Sequence, residues 1–577
     1  MDADSEALAR AQAHGWSDKS KLDYGAIALA APSWASDAQV YEWTGDEGEV
    51  APANASLEER LYKDVHHQRA GTAFSALDLS VTQEGPVRIV PVTQFENAGL
   101  HPRLLENVKL CGYEKMTAIQ AYTIPAVIMG HDIIAIAQTG SGKTAAYLIP
   151  VISKLMGKAR KLQGPRPNIN SPDYDPRRDR VCAEPLVVIV CPTRELAQQI
   201  FNEARRLCYR SLLRPVCCYG GVPLRNNIQE LGKGCDVLVA TPGRLCDLMN
   251  KPHLLSMKGV KFTIIDEADE MLHGDWSDEL NNIMGGGDAN EDADHLYMMF
   301  SATFPPESRR LAREYMAQDY VRIRVGRAGS SHRNVKQDVV YVEEDAKPNA
   351  LLDILFNEEP CRTLVFVNST YGVENVDDYL FQKGLPTTFM HGKRSQFERE
   401  DAMHKFKTGD TPILISTHIS GRGIDIANIG HVINYDLPSG VGGGIDEYVH
   451  RIGRTGRIGH VGRATSFYND RNEDLAPGLV NILLETQQPI PDFLEPFKPE
   501  SGLAEFDDKS DEELDEGDAC ATGPAKASEE GTKATGGEIW GDSKPVTGAG
   551  DWGHEPSVVA DDAWVAAPAA AGIEAKS

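Results

Sequence analysis

The chain lacks the features that mark secreted and membrane proteins. Its ten cysteines are scattered over 577 residues without a Cys-x-x-Cys pair, which argues against a disulfide framework or a zinc site. No apolar stretch approaches the roughly 18 residues that a membrane-spanning helix needs. The N-terminus, Met1 to Glu6, is acidic and has no signal-peptide layout. We therefore expect a soluble protein of a reducing compartment that has no membrane partner. The cytoplasm is preferred because no basic cluster resembles a nuclear import signal, with nuclear shuttling as an alternative.

Basic side chains are also scarce, and their distribution matters more than their total. The chain has 58 Lys and Arg against 85 Asp and Glu, a net charge of −27. Residues 1–94 hold −8 of this charge and residues 501–577 hold −13, so only −6 remains for the segment between them. The acidity therefore belongs to the two ends and does not exclude a nucleic-acid partner for the middle of the chain.

The two acidic ends have the composition of disordered segments, since they offer too little apolar surface to fold alone. We expect a largely disordered arm over residues 1–94 and a disordered tail over residues 501–577. Both ends contain isolated tryptophans, namely Trp16, Trp34, Trp43, Trp540, Trp552 and Trp564. Two interpretations remain open. The tryptophans are chance features of low-complexity sequence, or they are short anchors for a groove on a partner protein.

Within the middle of the chain, two motifs predict a nucleoside triphosphate site. Residues 137–144, Ala-Gln-Thr-Gly-Ser-Gly-Lys-Thr, follow the apolar run at 132–136 and precede a helical pattern, as a phosphate-binding loop requires. The acidic motif at 266–269, Asp-Glu-Ala-Asp, follows a second apolar run at 261–265. A chance match or a solvated acidic helix would explain either motif alone. Their common position at the carboxyl ends of predicted parallel strands favours a nucleotide site.

Alternating apolar runs and helical patterns divide the middle into two similar halves, 95–327 and 335–500. Further strands are predicted at 186–190, 236–240, 296–300, 363–367, 412–415 and 431–434. The second half has no phosphate-binding loop of its own. Instead it contains His-Arg-Ile-Gly-Arg-Thr-Gly-Arg at 450–457, whose arginines are spaced to share one helical face: Arg451, Arg454 and Arg457. This is either a solvated basic helix or, as we prefer, a source of arginine fingers that reach the γ-phosphate when the halves close.

Taken in order, the motifs resemble those of DEAD-box RNA helicases, most closely of the Vasa-like branch. They are AQTGSGKT at 137–144, PTRELA at 192–197, Gly220-Gly221, TPGR at 241–244, DEAD at 266–269, SAT at 301–303 and HRIGRTGR at 450–457. The resemblance covers about 70% of the chain, from Phe95 to Leu494. It implies an α/β fold with two tandem RecA-like parallel-sheet domains.

The function that the resemblance implies is ATP hydrolysis with Mg²⁺, used to unwind short RNA duplexes and to remodel RNA–protein complexes in translation initiation or mRNA metabolism. Two alternatives remain. One is an ATP-gated RNA clamp that nucleates ribonucleoprotein assemblies. The other is a scaffold that acts through its tryptophan-bearing ends. If the protein is instead a monomeric helicase, the same ends would be available to protein partners. RNA granules are then a further alternative location within the cell.

The resemblance also implies roles for individual residues at the nucleotide. Phe95 would stack on the adenine and Gln120 would hydrogen-bond its edge. The phosphates would be held by the loop, at Ala137, Gln138, Thr139, Gly140, Ser141, Gly142, Lys143 and Thr144. Thr144 and Asp266 would hold Mg²⁺, partly through water, and Glu267 would orient and deprotonate the attacking water. The second half would add Arg454 and Arg457, together with Gly423 and Asp425.

RNA contacts and coupling between the halves are implied in the same way. Contacts to sugar and phosphate, which carry no sequence code, would come from Pro192, Thr193, Arg194, Gly221, Thr241, Arg244, Gln396, Arg399 and Thr417. Recognition of 2′-hydroxyl groups would favour RNA over DNA. Coupling between the nucleotide site and the interface of the halves is expected from Asp269, Ser301, Thr303 and His450.

Overall fold

The computed structural model of the chain describes most of one compact unit, Met1–Phe506. Described are residues 3–16, 40–42, 50–63, 80–169, 171–272, 276–286, 295–303, 306–326, 334–417, 429–440, 444–456 and 461–504. Trp34, Trp43 and the three tryptophans of the tail lie outside these residues, so the two interpretations of them stay open. No described helix is long and apolar enough to cross a membrane.

The first sheet has eight described strands and forms the centre of lobe 1, the described residues from 80 to 326. Its strands are β1 (Val81–Glu84), β2 (Ile133–Ile136), β3 (Val187–Val190), β4 (Pro215–Cys218), β5 (Val237–Ala240), β6 (Phe262–Asp266), β7 (Leu296–Ser301) and β8 (Val321–Val325). Their order in space is β1-β8-β2-β7-β6-β3-β5-β4. Strand β1 is antiparallel to β8 and the other pairs are parallel. The inner strands are buried on both faces, as their unbroken apolar runs predict.

The second sheet forms the centre of lobe 2, the described residues from 334 to 504. Its strands are β9 (Val335–Tyr341), β10 (Arg362–Phe366), β11 (Thr387–Met390), β12 (Ile413–Ser416), β13 (Ile429–Asn434) and β14 (Gly462–Tyr468). All of these strands pair in parallel, in the order β11-β12-β10-β13-β14-β9. Parallel pairing requires crossover connections, and helices supply them.

Helices cover both sheets and connect their strands. In chain order they are α1 (Ala3–Ala13), α2 (Ala55–Tyr62), α3 (Pro102–Leu110), α4 (Ala118–Met129), α5 (Lys143–Met156), α6 (Ala159–Leu162), α7 (Arg194–Leu207), α8 (Leu224–Leu231), α9 (Pro242–Met249), α10 (Ala268–Leu272), α11 (Ser277–Met284), α12 (Pro306–Tyr315), α13 (Lys347–Asn357), α14 (Thr370–Gln382), α15 (Gln396–Thr408), α16 (Gly444–Ile452) and α17 (Ala476–Glu485). Their ends follow the local sequence. Thr117 with Gln120 and Ser395 with Glu398 form capping boxes at the starts of α4 and α15. Gly130 ends α4 in the left-handed conformation that glycine tolerates.

The fold class predicted from the sequence is confirmed for both lobes, since each is a mainly parallel sheet covered by helices. The eight strands that the sequence predicts are present, and their ends differ from the predicted ones by at most two residues. Apolar side chains on both faces of the first sheet form two cores, and those of the second sheet form separate ones. The catalytic motifs therefore sit on two independently packed bodies.

Two segments of the N-terminal arm pack on the lobes, which the composition does not predict. Helix α1 lies on lobe 2, where Trp16 is only 3% exposed and its indole N–H donates a 2.8 Å hydrogen bond to the Leu355 carbonyl. Helix α2 lies on lobe 1, and residue Glu42 forms a 2.9 Å ion pair with the buried Arg214. Trp16 thus contacts its own chain rather than a partner protein. The expectation of disorder does not hold for these segments.

Candidate functional site

The predicted nucleotide motifs meet at the carboxyl edge of the first sheet. The phosphate-binding loop (137–142) follows β2, Asp266 is the last residue of β6, and Ser301 is the last residue of β7. Strands β2, β7 and β6 are neighbours in that order, so the three segments lie side by side. Ligands of open parallel sheets bind at this edge.

The predicted RNA motifs of lobe 1 occupy the adjoining part of the same edge. Thr193 comes shortly after β3, Thr241 directly follows β5, and Gly221 comes shortly after β4. Strands β3, β5 and β4 lie next to one another, beyond β6. The topology therefore places a candidate nucleotide surface and a candidate nucleic-acid surface beside each other.

The backbone of the phosphate-binding loop depends on its glycines. Gly140 and Gly142 have φ values of 74° and 90°, in the left-handed region that favours glycine. Gly142 is the N-cap of the 14-residue helix α5 and makes no side-chain capping bond, so the N–H groups of the first turn face the loop. A helix N-terminus of this kind is suited to bind phosphate.

Gln120 supports this loop with both ends of its amide. Its Nε2 donates to the Gly142 carbonyl at 3.1 Å, and its Oε1 accepts from the Thr117 N–H at 3.0 Å. A Cβ atom on Gly142 would lie 2.6 Å from this Nε2. Phe95, the other predicted adenine residue, is 2% exposed and its ring centre lies 6.2 Å from that of Tyr113. The adenine contacts of Gln120 and Phe95 stay predictions.

Lys143 is the first residue of α5 and is buried. Its ammonium donates to the Ala137 carbonyl at 2.7 Å, so the side chain folds back over the loop. Burial lowers the pKa of Lys143, although the carboxylates of Asp266, Asp269 and Glu267 oppose this shift. The ammonium group is thus held between the loop and the acidic motif, where phosphate charge would be neutralised.

Asp266 receives one hydrogen bond on each carboxylate oxygen. Its Oδ1 accepts from the Glu267 N–H at 3.0 Å, and its Oδ2 accepts from the Tyr147 hydroxyl at 2.9 Å. Burial raises the pKa of Asp266 to about 6, and the charge of Lys143 opposes this rise. A carboxylate with a fixed orientation and remaining lone pairs is a suitable group for a divalent cation.

Glu267 combines a strained backbone with an unsatisfied oxygen. Its φ of 53° lies in the left-handed region, and this backbone conformation costs a residue other than glycine on the order of 1–3 kcal/mol of free energy. Its buried Oε2 has no hydrogen-bond partner among the described residues. Its Oε1 lies 4.0 Å from Nη2 of Arg454, which belongs to lobe 2. Strain of this kind is common at active sites, and the unsatisfied oxygen fits the role predicted for Glu267 toward a water molecule.

Asp269 connects the acidic motif to β7 and to lobe 2. Its Oδ2 accepts from the N–H and the hydroxyl of Thr303 at 2.9 and 2.8 Å, and its N–H donates to Ser301 Oγ at 3.3 Å. His450 belongs to lobe 2. Its Nδ1 lies 2.8 Å from Glu270 Oε1, and its Nε2 lies 3.9 Å from Asp269 Oδ2. The four residues predicted to couple the halves are therefore brought together, with Glu270 as a fifth member.

The charge of His450 is favoured by this environment. Burial disfavours an imidazolium ion, but the hydrogen bond to Glu270 and the carboxylates of Asp269 and Glu267 outweigh it and raise the pKa of His450. The same imidazole and Lys143 lower the pKa of Asp269 against the effect of burial. The interlobe contact thus places an imidazole of lobe 2 beside carboxylates of lobe 1 that favour its charged form.

The end of α16 brings lobe 2 to the phosphate-binding loop. The Thr139 hydroxyl lies 3.5 Å from the Gly453 carbonyl oxygen, and a Cβ atom on Gly453 would collide with this hydroxyl. Arg454 follows directly and approaches Glu267. An arginine finger supplied by the second lobe would have to occupy this position.

The expectation that the three arginines of 450–457 share one helical face is wrong for the two that are described. Helix α16 ends at Ile452, so Arg454 lies in the turn that follows. Arg451 faces its own lobe, where it is buried and pairs with Glu447 at 2.7 Å. Only Arg454 of this pair reaches the nucleotide motifs. Three predicted nucleotide residues lie outside the described residues, and their roles stay predictions: Gly423, Asp425 and Arg457.

Predicted RNA residues of the two lobes contact each other directly. Arg194 Nη1 donates to Gln396 Oε1 at 2.8 Å. Arg399 Nη2 pairs with Glu195 Oε1 at 2.7 Å, with both side chains at most 10% exposed. The first turns of α7 and α15 therefore form a second interlobe contact, on the side of the RNA motifs.

Glu400 is an acidic member of this second contact. Its Oε1 accepts from Gln198 Nε2 of lobe 1 at 3.1 Å and from Gln396 Nε2 of its own helix at 2.9 Å. Burial raises the pKa of Glu400 to about 7, and Glu195 adds to this rise, while the two amides and Arg399 oppose it. The contact therefore changes charge near neutral pH.

The other predicted RNA residues are held within their own lobes. Thr193 caps α7 by accepting the Leu196 N–H at 3.3 Å, and Gly221 packs so closely on Arg194 that a Cβ atom would collide with the guanidinium group. Arg244 hydrogen-bonds the Asn227 side chain and the Val222 carbonyl. Partly or fully buried positions are occupied by Pro192, Thr241 and Thr417. Their contacts with RNA stay predictions.

Four residues of the site were not identified from the sequence: Tyr147, Glu195, Glu270 and Glu400. Tyr147 is three residues after Thr144 in α5, a spacing that puts both on one helical face and could have identified it. Glu270 directly follows the DEAD motif. The two remaining glutamates adjoin Arg194 and Arg399, but no sequence pattern shows that α7 and α15 meet.

Comparison with known protein families gives two matches, one for each lobe. The model of the DEAD/DEAH box helicase family matches residues 117–311, and that of the helicase conserved C-terminal domain matches residues 346–459. A DEAD box protein of Methanococcus jannaschii is 33% identical over 70% of this chain and 99% of its own length, with a TM-score of 0.40.

Two further solved structures match the chain with TM-scores above 0.5. Dbp5 of S. cerevisiae, bound to RNA and ADP BeF3, is 26% identical over 69% of this chain and 93% of its own, with a TM-score of 0.56. Mss116p, bound to ssRNA and AMP-PNP, is 25% identical over 72% of this chain and 83% of its own, with a TM-score of 0.57.

Proposed function

Because the chain belongs to the DEAD-box helicase family, we propose that it hydrolyses ATP to unwind short RNA duplexes and to remodel RNA–protein complexes. One observation carries this proposal. Lobe 2 completes the nucleotide motifs of lobe 1 through His450 and Arg454, and it also meets the RNA motifs of lobe 1 through Gln396 and Arg399. A change in the fit of the lobes therefore affects both surfaces together.

The residues present fit a nucleotide with Mg²⁺. Gly142 leaves the start of α5 open to phosphate, and the Asp266 carboxylate keeps lone pairs beyond its two hydrogen bonds. Ser141 Oγ and Glu267 Oε2 are buried and have no hydrogen-bond partner among the described residues. Thr144 and Asp266 would hold Mg²⁺, which supplies positive charge to the β- and γ-phosphates when bound.

The chain's own residues would then share the work of hydrolysis. Lys143 would bind the phosphates, and Glu267 would orient the attacking water and accept its proton. Arg454 would stabilise charge on the γ-phosphate only while the lobes are closed. Closure through His450 and Asp269 would thereby switch hydrolysis on.

RNA is the proposed substrate because Arg194, Gln396 and Arg399, which the family resemblance assigns to RNA, lie together at the second interlobe contact. Gly221 packs on Arg194 there. Guanidinium and amide groups of this kind recognise sugar and phosphate rather than base sequence. The relatives Dbp5 and Mss116p were solved with RNA and an ATP analogue, which supports the same ligands for this chain. The alternative of an ATP-gated clamp is favoured by the buried pair Arg399–Glu195, which would hold the lobes together.

Displacement of a short RNA strand tests the proposal. With the protein at a tenth of the duplex concentration, we expect release with ATP and not with a non-hydrolysable analogue. Glu267→Gln should bind ATP like the wild type but hydrolyse it about 10²–10⁴-fold more slowly, because the general base is lost. Stable RNA binding with either nucleotide and no displacement would favour the clamp. Full ATPase activity in Glu267→Gln would contradict the assignment of the base.

The finer identity of the protein is also a proposal. Leu437-Pro438-Ser439, Asn368-Ser369 and Phe467 to Asp470 resemble the Vasa-like branch, for which translation initiation or mRNA metabolism in the cytoplasm is the implied role. Crosslinking the protein to cellular RNA and sequencing the fragments tests this assignment. Recovery of mature mRNA supports it, and recovery confined to ribosomal RNA precursors contradicts it.

A further inference from the structure

Tyr147 is a buried tyrosine of α5 whose hydroxyl lies between two of the motifs. The side chain is completely buried. Its hydroxyl donates a 2.9 Å hydrogen bond to Asp266 Oδ2. Tyr147, three residues after Thr144 in α5, therefore contacts the residue of the acidic motif that is predicted to hold Mg²⁺.

The ring of Tyr147 is fixed by packing, so its hydroxyl has little freedom. The ring centre lies 4.9 Å from that of Phe300 at an interplanar angle of 60°, within the core between α5 and β7. Phe300 directly precedes Ser301, which hydrogen-bonds Asp269. A hydroxyl held in this way is a rigid support rather than a mobile solvent-like group.

The carboxylate of Asp266 depends on this support for its orientation. The Glu267 N–H holds Oδ1 and the Tyr147 hydroxyl holds Oδ2, so one donor fixes each oxygen. Loss of the second donor would leave the carboxylate free to rotate about its bond to Cβ. Partners of metal-binding carboxylates commonly affect metal affinity through such orientation.

We propose that Tyr147 is a positioning residue that orients Asp266 for Mg²⁺ in the nucleotide site. The proposal rests on the proposed ATP-dependent function. The phenolic oxygen of Tyr147, and not only its ring, would contribute to the binding of Mg²⁺ together with the nucleotide. A role limited to filling the core would need only the ring.

Tyr147→Phe separates these roles because it removes one oxygen and retains the ring. A matched control is Tyr62→Phe, which removes the hydroxyl of another buried tyrosine on lobe 1. The Tyr62 hydroxyl donates to the Arg206 carbonyl at 2.7 Å, and among the described residues it has no hydrogen bond to the nucleotide motifs. Both variants lose one buried hydrogen bond, so similar losses of thermal stability are expected.

The measurement is the affinity of a fluorescent ADP analogue for the full-length protein, in EDTA and over a titration of MgCl₂. For Tyr147→Phe we expect the Mg²⁺ concentration at half-saturation to rise about tenfold, with affinity in EDTA unchanged. For Tyr62→Phe neither quantity should change. An unchanged Mg²⁺ midpoint in Tyr147→Phe overturns the proposal. Absence of nucleotide binding in the wild type would instead overturn the proposed function.

A double-variant cycle tests whether Tyr147 acts through Asp266. In the Asp266→Asn background the Mg²⁺ midpoint is already raised, and adding Tyr147→Phe should raise it little further, since the oriented carboxylate is absent. Full additivity of the two substitutions would contradict action through Asp266. Asp266→Asn preserves the shape of the side chain, so the comparison does not require a new fold.

Discussion

At the residue scale, each of the two interlobe contacts contains a titratable group whose pKa is raised, His450 in one and Glu400 in the other. Against the effect of burial, the carboxylate of Glu270 raises the pKa of His450, whereas burial, with a smaller effect of Glu195, raises the pKa of Glu400. Both shifts make the closed arrangement bind protons more readily than separated lobes would. Closure is therefore linked to pH through groups that lie outside the phosphate-binding loop.

The contact of α7 with α15 should weaken as pH rises toward neutrality. In the contact the pKa of Glu400 is raised from 4.5 to about 7, so its protonated form favours the contact at low pH. This contribution is lost as the pH rises from about 4.5 to about 7. We expect energy transfer between dyes on the two lobes of the full-length protein to fall from about pH 5 to about pH 7. In Glu400→Gln, which stays neutral and keeps the acceptor oxygen, this part of the fall should vanish.

Glu398→Gln provides the matched control on the same helix. The backbone N–H and the hydroxyl of Ser395 hydrogen-bond the exposed Glu398, and they lower its pKa. Glutamine also completes a capping box, so helix α15 should be preserved. The control should show the same pH response as the wild type. An identical fall in Glu400→Gln would show that another group causes it.

At the element scale, several strands with unbroken apolar sequences were predictable, whereas two strands with mixed sequences were not. The strands β2, β3, β5 and β6 are each buried over their whole length, and their residues are almost entirely apolar. Strand β8, Val-Arg-Ile-Arg-Val, and strand β1, Val-Thr-Gln-Glu, contain polar residues that local sequence alone would assign to a surface. Tertiary pairing decides their structure, with Arg322 and Glu84 joined by a 2.8 Å ion pair.

Helix α1 was not predictable because its sequence has no pronounced apolar face. It is held largely by one residue beyond its end, Trp16, together with the ring contacts of Arg10 and His14 with Phe356. The charge of the arm suggested disorder. The packing of a single buried tryptophan outweighs the effect of the average charge of the arm. Composition does not show where that tryptophan packs.

Trp16→Ala should release α1 from lobe 2. Removal of a buried Trp side chain costs about 3–5 kcal/mol, which exceeds what a short polar helix contributes on its own. Hydrogen exchange of residues 3–13 should become much faster, and exchange in α13 should increase to a smaller extent. The control Leu8→Ala removes a side chain of the same helix that is 48% exposed, so exchange should change little. Equal exchange in the two variants would contradict the anchoring role of Trp16.

At the scale of the whole molecule, the sequence predicts the two lobes and their motifs but not how the lobes meet. The order of the motifs and the resemblance to a family predicted that Arg454 would reach the γ-phosphate when the halves close. The contacts Arg399–Glu195 and Gln198–Glu400 could not be predicted, because each joins residues that lie about 200 positions apart. Only the packing of two folded sheets brings them together.

The rate of ATP hydrolysis by the variant Arg454→Ala is the most direct test of whether the active site is assembled from both lobes. With saturating single-stranded RNA, we expect kcat to fall about 10³-fold or more, while the affinity for nucleotide stays within a few fold, since phosphate binding belongs to lobe 1. The control Arg471→Ala, which removes an arginine of lobe 2 that is 80% exposed, should hydrolyse ATP like the wild type. Wild-type kcat in Arg454→Ala would contradict the account, because lobe 1 would then catalyse the reaction alone.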